Sequence, residues 1–329
     1  MTTTARRSLI AALLTAASLA SVAAYRSGRP LTLIAPVVQP MPPLPAFADA
    51  IYLIDPSSPR RADARRLAGA DGTNVPAGWS TDGALVFVSD RMGPRAILAQ
   101  RPDGEASWRV ADHPGMTRHA RTTPDGSAVL FLVDTARRLT PHSILRVSVD
   151  GGPVHEIVSG HFVDGGARCA VAPAMLCAVA EPHDDGRHII FSALNPETGR
   201  GRELARVNAN DFADLRWALS PDGLRIGVTD GKNPRIRIVM IGGSAAESIT
   251  VSGHHGFANI SFTHDGRGVM VPSTNVAGAS LLSIALDGEA RLLWQEPGAI
   301  DISGMPSTDG RHVAVWVRKP RLARSSSTH

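Results

Sequence analysis

Lysine is almost missing from the 329 residues: only Lys232 and Lys319 occur, and arginine carries nearly all the positive charge. Guanidinium-based recognition and genomic codon bias both produce that pattern, and because the arginines follow no motif, codon bias is the simpler expectation. A strong excess of one charge is also missing. Thirty-four basic residues against 30 acidic ones leave a net charge of +4, too dilute for a nucleic-acid surface. Cysteine occurs twice, at Cys169 and Cys177. A tetrahedral zinc site needs two further ligands and a shorter-spaced pair, and thiol redox catalysis wants Cys-x-x-Cys, so neither is expected. The apolar stretch Leu9 to Val22 is 14 residues long, short of the roughly 20 that span a bilayer comfortably. What is present is 43% apolar residues, enough for a large buried core and incompatible with disorder over most of the chain.

The N-terminus has the pattern of an export signal: Arg6 and Arg7, then the apolar run, then small residues at Ser21-Val22-Ala23 and Val22-Ala23-Ala24 for cleavage. Residues 1–24 are therefore expected to be a signal peptide, with an uncleaved inner-membrane anchor as the alternative. Arg6-Arg7 fits both general and twin-arginine export. Prolines at 30, 36, 40, 42, 43 and 45 make residues 25–48 an extended linker. The expected location is the periplasm.

One short pattern recurs six times: two residues, then Asp-Gly, then an alternating strand. The copies are Ser80-Thr81-Asp82-Gly83, Thr123-Pro124-Asp125-Gly126, His183-Asp184-Asp185-Gly186, Ser220-Pro221-Asp222-Gly223, Thr263-His264-Asp265-Gly266 and Ser307-Thr308-Asp309-Gly310. Four residues after each Asp stands Val86, Val129, Ile189, Ile226, Val269 or Val313, and two further on Val88, Phe131, Phe191, Val228, Val271 or Val315. That period of two is a strand with one buried line of side chains. Asp-Gly supplies the positive φ and local hydrogen bonding of a tight turn, so each copy is expected to join two inner strands. The aspartates are spaced by 43, 60, 37, 43 and 44 residues, close to the roughly 40–45 of a four-stranded propeller blade, with the 60 holding an insertion. Second turns at Asp103-Gly104, Asp150-Gly151-Gly152, Thr198-Gly199, Gly242-Gly243 and Asp287-Gly288 mark outer hairpins. The sixth copy lacks one. The unpaired segments Ile51-Tyr52-Leu53-Ile54-Asp55 and Arg65-Arg66-Leu67 are expected to complete its blade and remove the open edges. The reading is an all-β, six-bladed propeller over residues 49–318, its last blade shared by both chain ends, followed by a disordered basic tail over 319–329.

The Ser-Pro-Asp-Gly repeat with its following strand resembles the TolB-like, WD40-like (PD40-type) propeller repeats of bacteria across about residues 50–318. Through Cys169 and Cys177, Gly199-Arg200-Gly201-Arg202-Glu203-Leu204-Ala205 and Leu219-Ser220-Pro221-Asp222-Gly223, the middle is similar to propellers attached to some bacterial Ser/Thr kinases and winged-helix regulators. The chain has no kinase Gly-rich or HRD-type loop, no helix-turn-helix and no G-x-S-x-G elbow, so no activity carries over. The resemblance implies an accessory or sensing propeller that binds a protein, peptide or cell-envelope component; the chain is read as non-catalytic and is expected to be a monomer. A hydrolase or lyase working in the propeller channel is the alternative.

No catalytic, cofactor or metal residue is assigned. Asp82, Asp125, Asp185, Asp222, Asp265 and Asp309 recur at one structural position and are read as turn residues. Cys169 and Cys177 close a short loop if oxidised, and the sequence leaves bonded and free forms open. At His254-His255 and in the His183–His188 region no Asp/Glu/His trio stands out at metal-ligand spacing. Trp79, Trp217, Trp294 and Trp316, in or beside inner strands, are expected to pack between blades.

Overall fold

The structure, a computed structural model, describes residues 47–321 apart from 70–71, 93–94, 114, 134–140, 210–213, 232, 244–245 and 255, with backbone only at 117 and 118. The segment expected to be an export signal, residues 25–46 of the expected linker and residues 322–329 of the expected tail lie outside the described residues.

The described chain forms six four-stranded antiparallel sheets. Strands β1 (Phe47–Ile54) and β2 (Arg65–Ala68) come first. Blade I follows with β3 (Asn74–Trp79), β4 (Leu85–Ser89), β5 (Ala96–Gln100) and β6 (Ser107–Asp112). Blade II holds β7 (Met116–Thr122), β8 (Ala128–Val133), β9 (His142–Ser148) and β10 (His155–Gly160). Blade III holds β11 (Arg168–Cys169), β12 (Cys177–Pro182), β13 (His188–Asn195) and β14 (Gly199–Asn208). Blade IV holds β15 (Arg216–Leu219), β16 (Arg225–Thr229), β17 (Arg235–Met240) and β18 (Ala246–Thr250). Blade V holds β19 (Ser261–Phe262), β20 (Gly268–Asn275), β21 (Gly278–Ala285) and β22 (Ala290–Pro297). Blade VI is assembled from both ends, in the order β23 (Asp301–Pro306), β24 (Val313–Pro320), β1, β2. The molecule is an all-β, six-bladed propeller.

Closure runs along one continuous ladder. β1 pairs with β24 from Phe47 opposite Pro320 to Ile54 opposite Val313, and Arg318 on β24 grips the buried Asp49 on β1 through Nε and an Nη at 2.7 and 2.8 Å. The strands reach further than the expected 49–318: residues 47–48 and 319–320 belong to the ladder, not to linker or tail.

The core is distributed between blades. The sequence predicts one buried line of side chains per strand, but second strands are buried on both faces because each blade is sandwiched by two others. In β4, Val86 and Val88 pack towards blade II, whereas Leu85 and Phe87 pack towards blade VI. In β24, Val313, Val315 and Val317 meet blade V, while Ala314 and Trp316 meet blade I. Each fully buried side chain of this size adds about 1.5–3 kcal/mol over an exposed one. The four tryptophans are buried. Trp294, however, lies on the outermost strand β22, against Tyr52 and beneath Arg61, rather than in or beside an inner strand.

The Asp-Gly turns also differ from a two-residue hairpin. Positive φ is confined to the glycine, as at Gly126 (71°), and the preceding residues turn with ordinary backbone; the glycine N–H bonds the carbonyl three residues back, as in Gly126 to Thr123 at 2.8 Å. The carboxylate accepts the hydroxyl two residues earlier, from Ser80, Thr123, Ser220, Thr263 or Ser307.

Blade III breaks the repeat. In blades I, II, IV, V and VI the Asp-Gly turn joins the first and second strands, whereas the copy at Asp185-Gly186 joins β12 and β13, the second and third. A two-residue strand, β11, has been inserted at the axis and pushes the hairpin outward. The sheet keeps four strands because it ends one strand early, after β14. This explains both irregular spacings: the long 60 contains β11, and the short 37 lacks an outer strand.

Candidate functional site

Inner strands line a central lumen of about 570 Å³ to which every blade contributes. Where the Asp-Gly turn joins the first two strands, the lining comes from the first strand of the blade and the residues just before it, among them Pro76, His119, Arg121, Arg216, Asn259 and Ser303. Blade III instead presents Asp164, Gly165 and residues 168–171. The charged groups on the wall include Arg121, Arg168, Arg216 and Arg318 against Asp164 and Asp301.

These charges form a graded set. Asp164 is the one non-glycine residue at positive φ (54°) among the described residues, a conformation that Asp tolerates and that clusters at working sites. Its buried carboxylate takes Arg168 Nη2 at 2.8 Å and the Trp217 N–H at 3.3 Å, with Arg216 Nε at 3.5 Å. Arg216 also grips Asp214 at 2.7 and 3.0 Å. Arg318 is held above the ordinary guanidinium value: burial opposes its charge, and Asp49 outweighs burial. The Asp301 carboxyl is pushed up by burial, with the Ile302 N–H and the Arg318 charge pulling the other way.

Arg121 is the exception. Its hydrogen bond goes to the Ala120 carbonyl on its own strand, at 2.6 Å, and no carboxylate pairs with it among the described residues. Burial, then the neighbouring Arg168 charge, brings its pKa down to about 9 against the pull of Asp164. It remains a cation at neutral pH.

The two cysteines face each other across β11 and β12 and are joined by a disulfide. The bond spans the hairpin that takes the place of blade III's displaced turn, and Cys169 itself lines the lumen. The turn aspartates lie outside the lumen wall; Asp265 lines a second cleft of about 460 Å³ between blades V and VI. Asp185 bonds His188 at 2.6 Å and pairs with His183 at 3.1 Å, which, with backbone N–H groups, holds its carboxyl far below the usual range. His254 meets Ser273 at 3.3 Å, and His255 lies outside the described residues. Among the described residues no three His, Cys, Asp or Glu side chains are grouped to hold a metal ion.

The lumen arginines were not singled out from sequence, where they merge with the general arginine bias. The local signal is position: Arg121 and Arg216 fall in the strand that precedes a turn aspartate, and that strand is the innermost of its blade.

No protein-family model and no curated protein matches the sequence. Solved structures do match. The putative TolB from Agrobacterium tumefaciens aligns with a TM-score of 0.61 at 16% identity, over 84% of this chain and all of that one. A chain of the nidogen/laminin complex aligns at 0.53 and 11% identity, over 81% of this chain and 98% of that one. TolB from Acinetobacter baumannii aligns at 0.46 and 17% identity, over 83% of this chain and 63% of that structure's length. At such identities the likeness speaks for the fold alone, a six-bladed β-propeller similar to that of the putative TolB.

Proposed function

We propose that the chain is an exported, non-catalytic propeller that binds a protein, peptide or cell-envelope component at its lumen. The observation that carries the reading is the wall itself, supplied by all six blades, with four guanidinium groups set against two carboxylates, which is a recognition surface more than a reaction centre. Asp164 is committed to Arg168, Arg216 and a backbone N–H, so it is poorly placed for proton transfer. Export is part of the proposal and draws on the N-terminal pattern; TolB-like architecture accords with it.

The test is capture from periplasmic extract with the tagged chain, wild type beside Arg121→Glu. A specific partner lost in the variant supports the reading. No specific partner, together with a stoichiometric ion by metal analysis, overturns it.

One observation favours a channel hydrolase or lyase instead: Asp301 is a carboxyl raised by burial inside a cavity, the condition of a general acid. Turnover of any envelope polymer that Asp301→Asn abolishes would establish that alternative.

A further inference from the structure

We propose that the lumen holds an oxyanion, a carboxylate or phosphate group, between the guanidinium groups of Arg121 and Arg168. The inference rests on the lumen being the binding site and adds the chemistry of what it binds.

Arg168 is the built half of the site. Its side chain is 9% exposed. Nη2 is spent on Asp164, whose backbone carbonyl and carboxylate lie at 2.9 and 2.8 Å, and Nε leans on the Trp217 carbonyl at 3.4 Å. Nη1 is buried with no acceptor in the protein. Arg121, close enough for the two charges to repel, has only the carbonyl of its own neighbour. An unmatched buried donor carries its desolvation penalty uncompensated, and two adjacent cations add repulsion to it. One negative oxygen pair would relieve both.

The rest of the wall points the same way. Among the described residues lining the lumen, the buried side-chain polar atoms without partners are all N–H donors: Arg168 Nη1 and the indole nitrogens of Trp79 and Trp316. The wall's carboxylates do not fill the gap, since Asp164 is already ligated and Asp301 neighbours Arg318 and Arg216 instead. A planar guanidinium fork matches the paired oxygens of a carboxylate or phosphate. The group belongs either to a peptide or to a free small anion.

Isothermal titration of the full chain at constant ionic strength decides, with acetate, inorganic phosphate, and an N-acetylated alanine peptide ending in a carboxylate or an amide. Arg121→Gln should weaken the tightest probe roughly ten- to a hundredfold, the loss of a charge-assisted hydrogen bond. It has no ion pair to break, so it keeps its fold, checked by circular dichroism. Arg168→Gln should weaken binding at least as much, while Arg101→Gln, on the exposed surface, should not. A carboxylate peptide that outbinds its amide and acetate assigns the site to peptides; acetate or phosphate matching the peptide assigns it to small anions. The proposal falls if no probe binds, or if binding survives both lumen variants. A partner still captured by both variants would sink the oxyanion site and leave the binding-module reading standing.

Discussion

Replacing Arg121 with methionine should make the protein more stable. The side chain keeps much of its length and loses a cation that has no anionic partner inside the ring. A fall in pKa from the ordinary guanidinium value to about 9 converts, at 1.36 kcal/mol per pH unit, to roughly 4–5 kcal/mol of unfavourable environment. One side of the residue opens on the lumen, where solvent screens the charge, so a gain of about 1–3 kcal/mol is expected. Melting temperature should rise by about 2–4 °C for each kcal/mol in a protein of this size. The pH dependence supplies a second check. Because the folded value lies below the unfolded one, the penalty is complete below pH 9 and fades as pH climbs towards the ordinary guanidinium value. The gap between variant and wild type should be flat around neutrality and narrow above pH 9. A variant that melts below wild type, or a gap that widens with alkalinity, would refute the account of Arg121 as a strained, unpaired charge.

Three further outcomes are expected. The carboxyls of Asp82, Asp309 and Asp185 are held low by Ser80, Ser307 and His188, while at Asp125, Asp222 and Asp265 partial burial is outweighed by Thr123, Ser220 and Thr263 with their turn N–H groups. Depressed values stabilise the fold above the ordinary 3.8 and lose that contribution as pH falls below it, so melting temperature should drop in acid and Asp309→Asn should flatten the drop. Cys169→Ser should cost about 2–3 kcal/mol in chemical denaturation, the closure entropy of a short loop, with the fastest new amide exchange in residues 170–176. Gly126→Ala should destabilise more than Gly83→Ala: both need positive φ, but a Cβ at 126 would lie 2.5 Å from the Thr81 nitrogen, whereas at 83 it meets nothing within 4 Å; thermal melts that rank them the other way would contradict this.

Much of the architecture could be read before any coordinates because its determinants are local and recur. Ser-Pro-Asp-Gly is a turn wherever it falls, and Val86 and Val88 mark a strand by their spacing alone. Ring closure was legible because the sixth copy lacked an outer hairpin that residues 51–67 could provide. Burial on both faces shows in the sequence only as continuous apolar runs such as Leu85–Val88 and Val313–Val317, and a reading by period-two alternation follows one face and passes over the other. The displaced turn of blade III was hidden behind a correct spacing: 60 residues looked like one insertion, and only the short 37 that follows betrays a shifted sheet. The lumen charges were least visible. Arg121, Arg168 and Arg216 lie 47 and 48 residues apart, and it takes a closed ring to make them neighbours.

The ladder between β1 and β24 ties the first described strand to the last. Until Val313–Pro320 has been made, Phe47–Ile54 has no partner on that side, and five blades form an open arc with a bare strand at one end. A chain interrupted before Val313 is thus sticky by construction, and the strand Val313–Pro320 acts as a completion check: only a chain that carries it can hide the edge of β1.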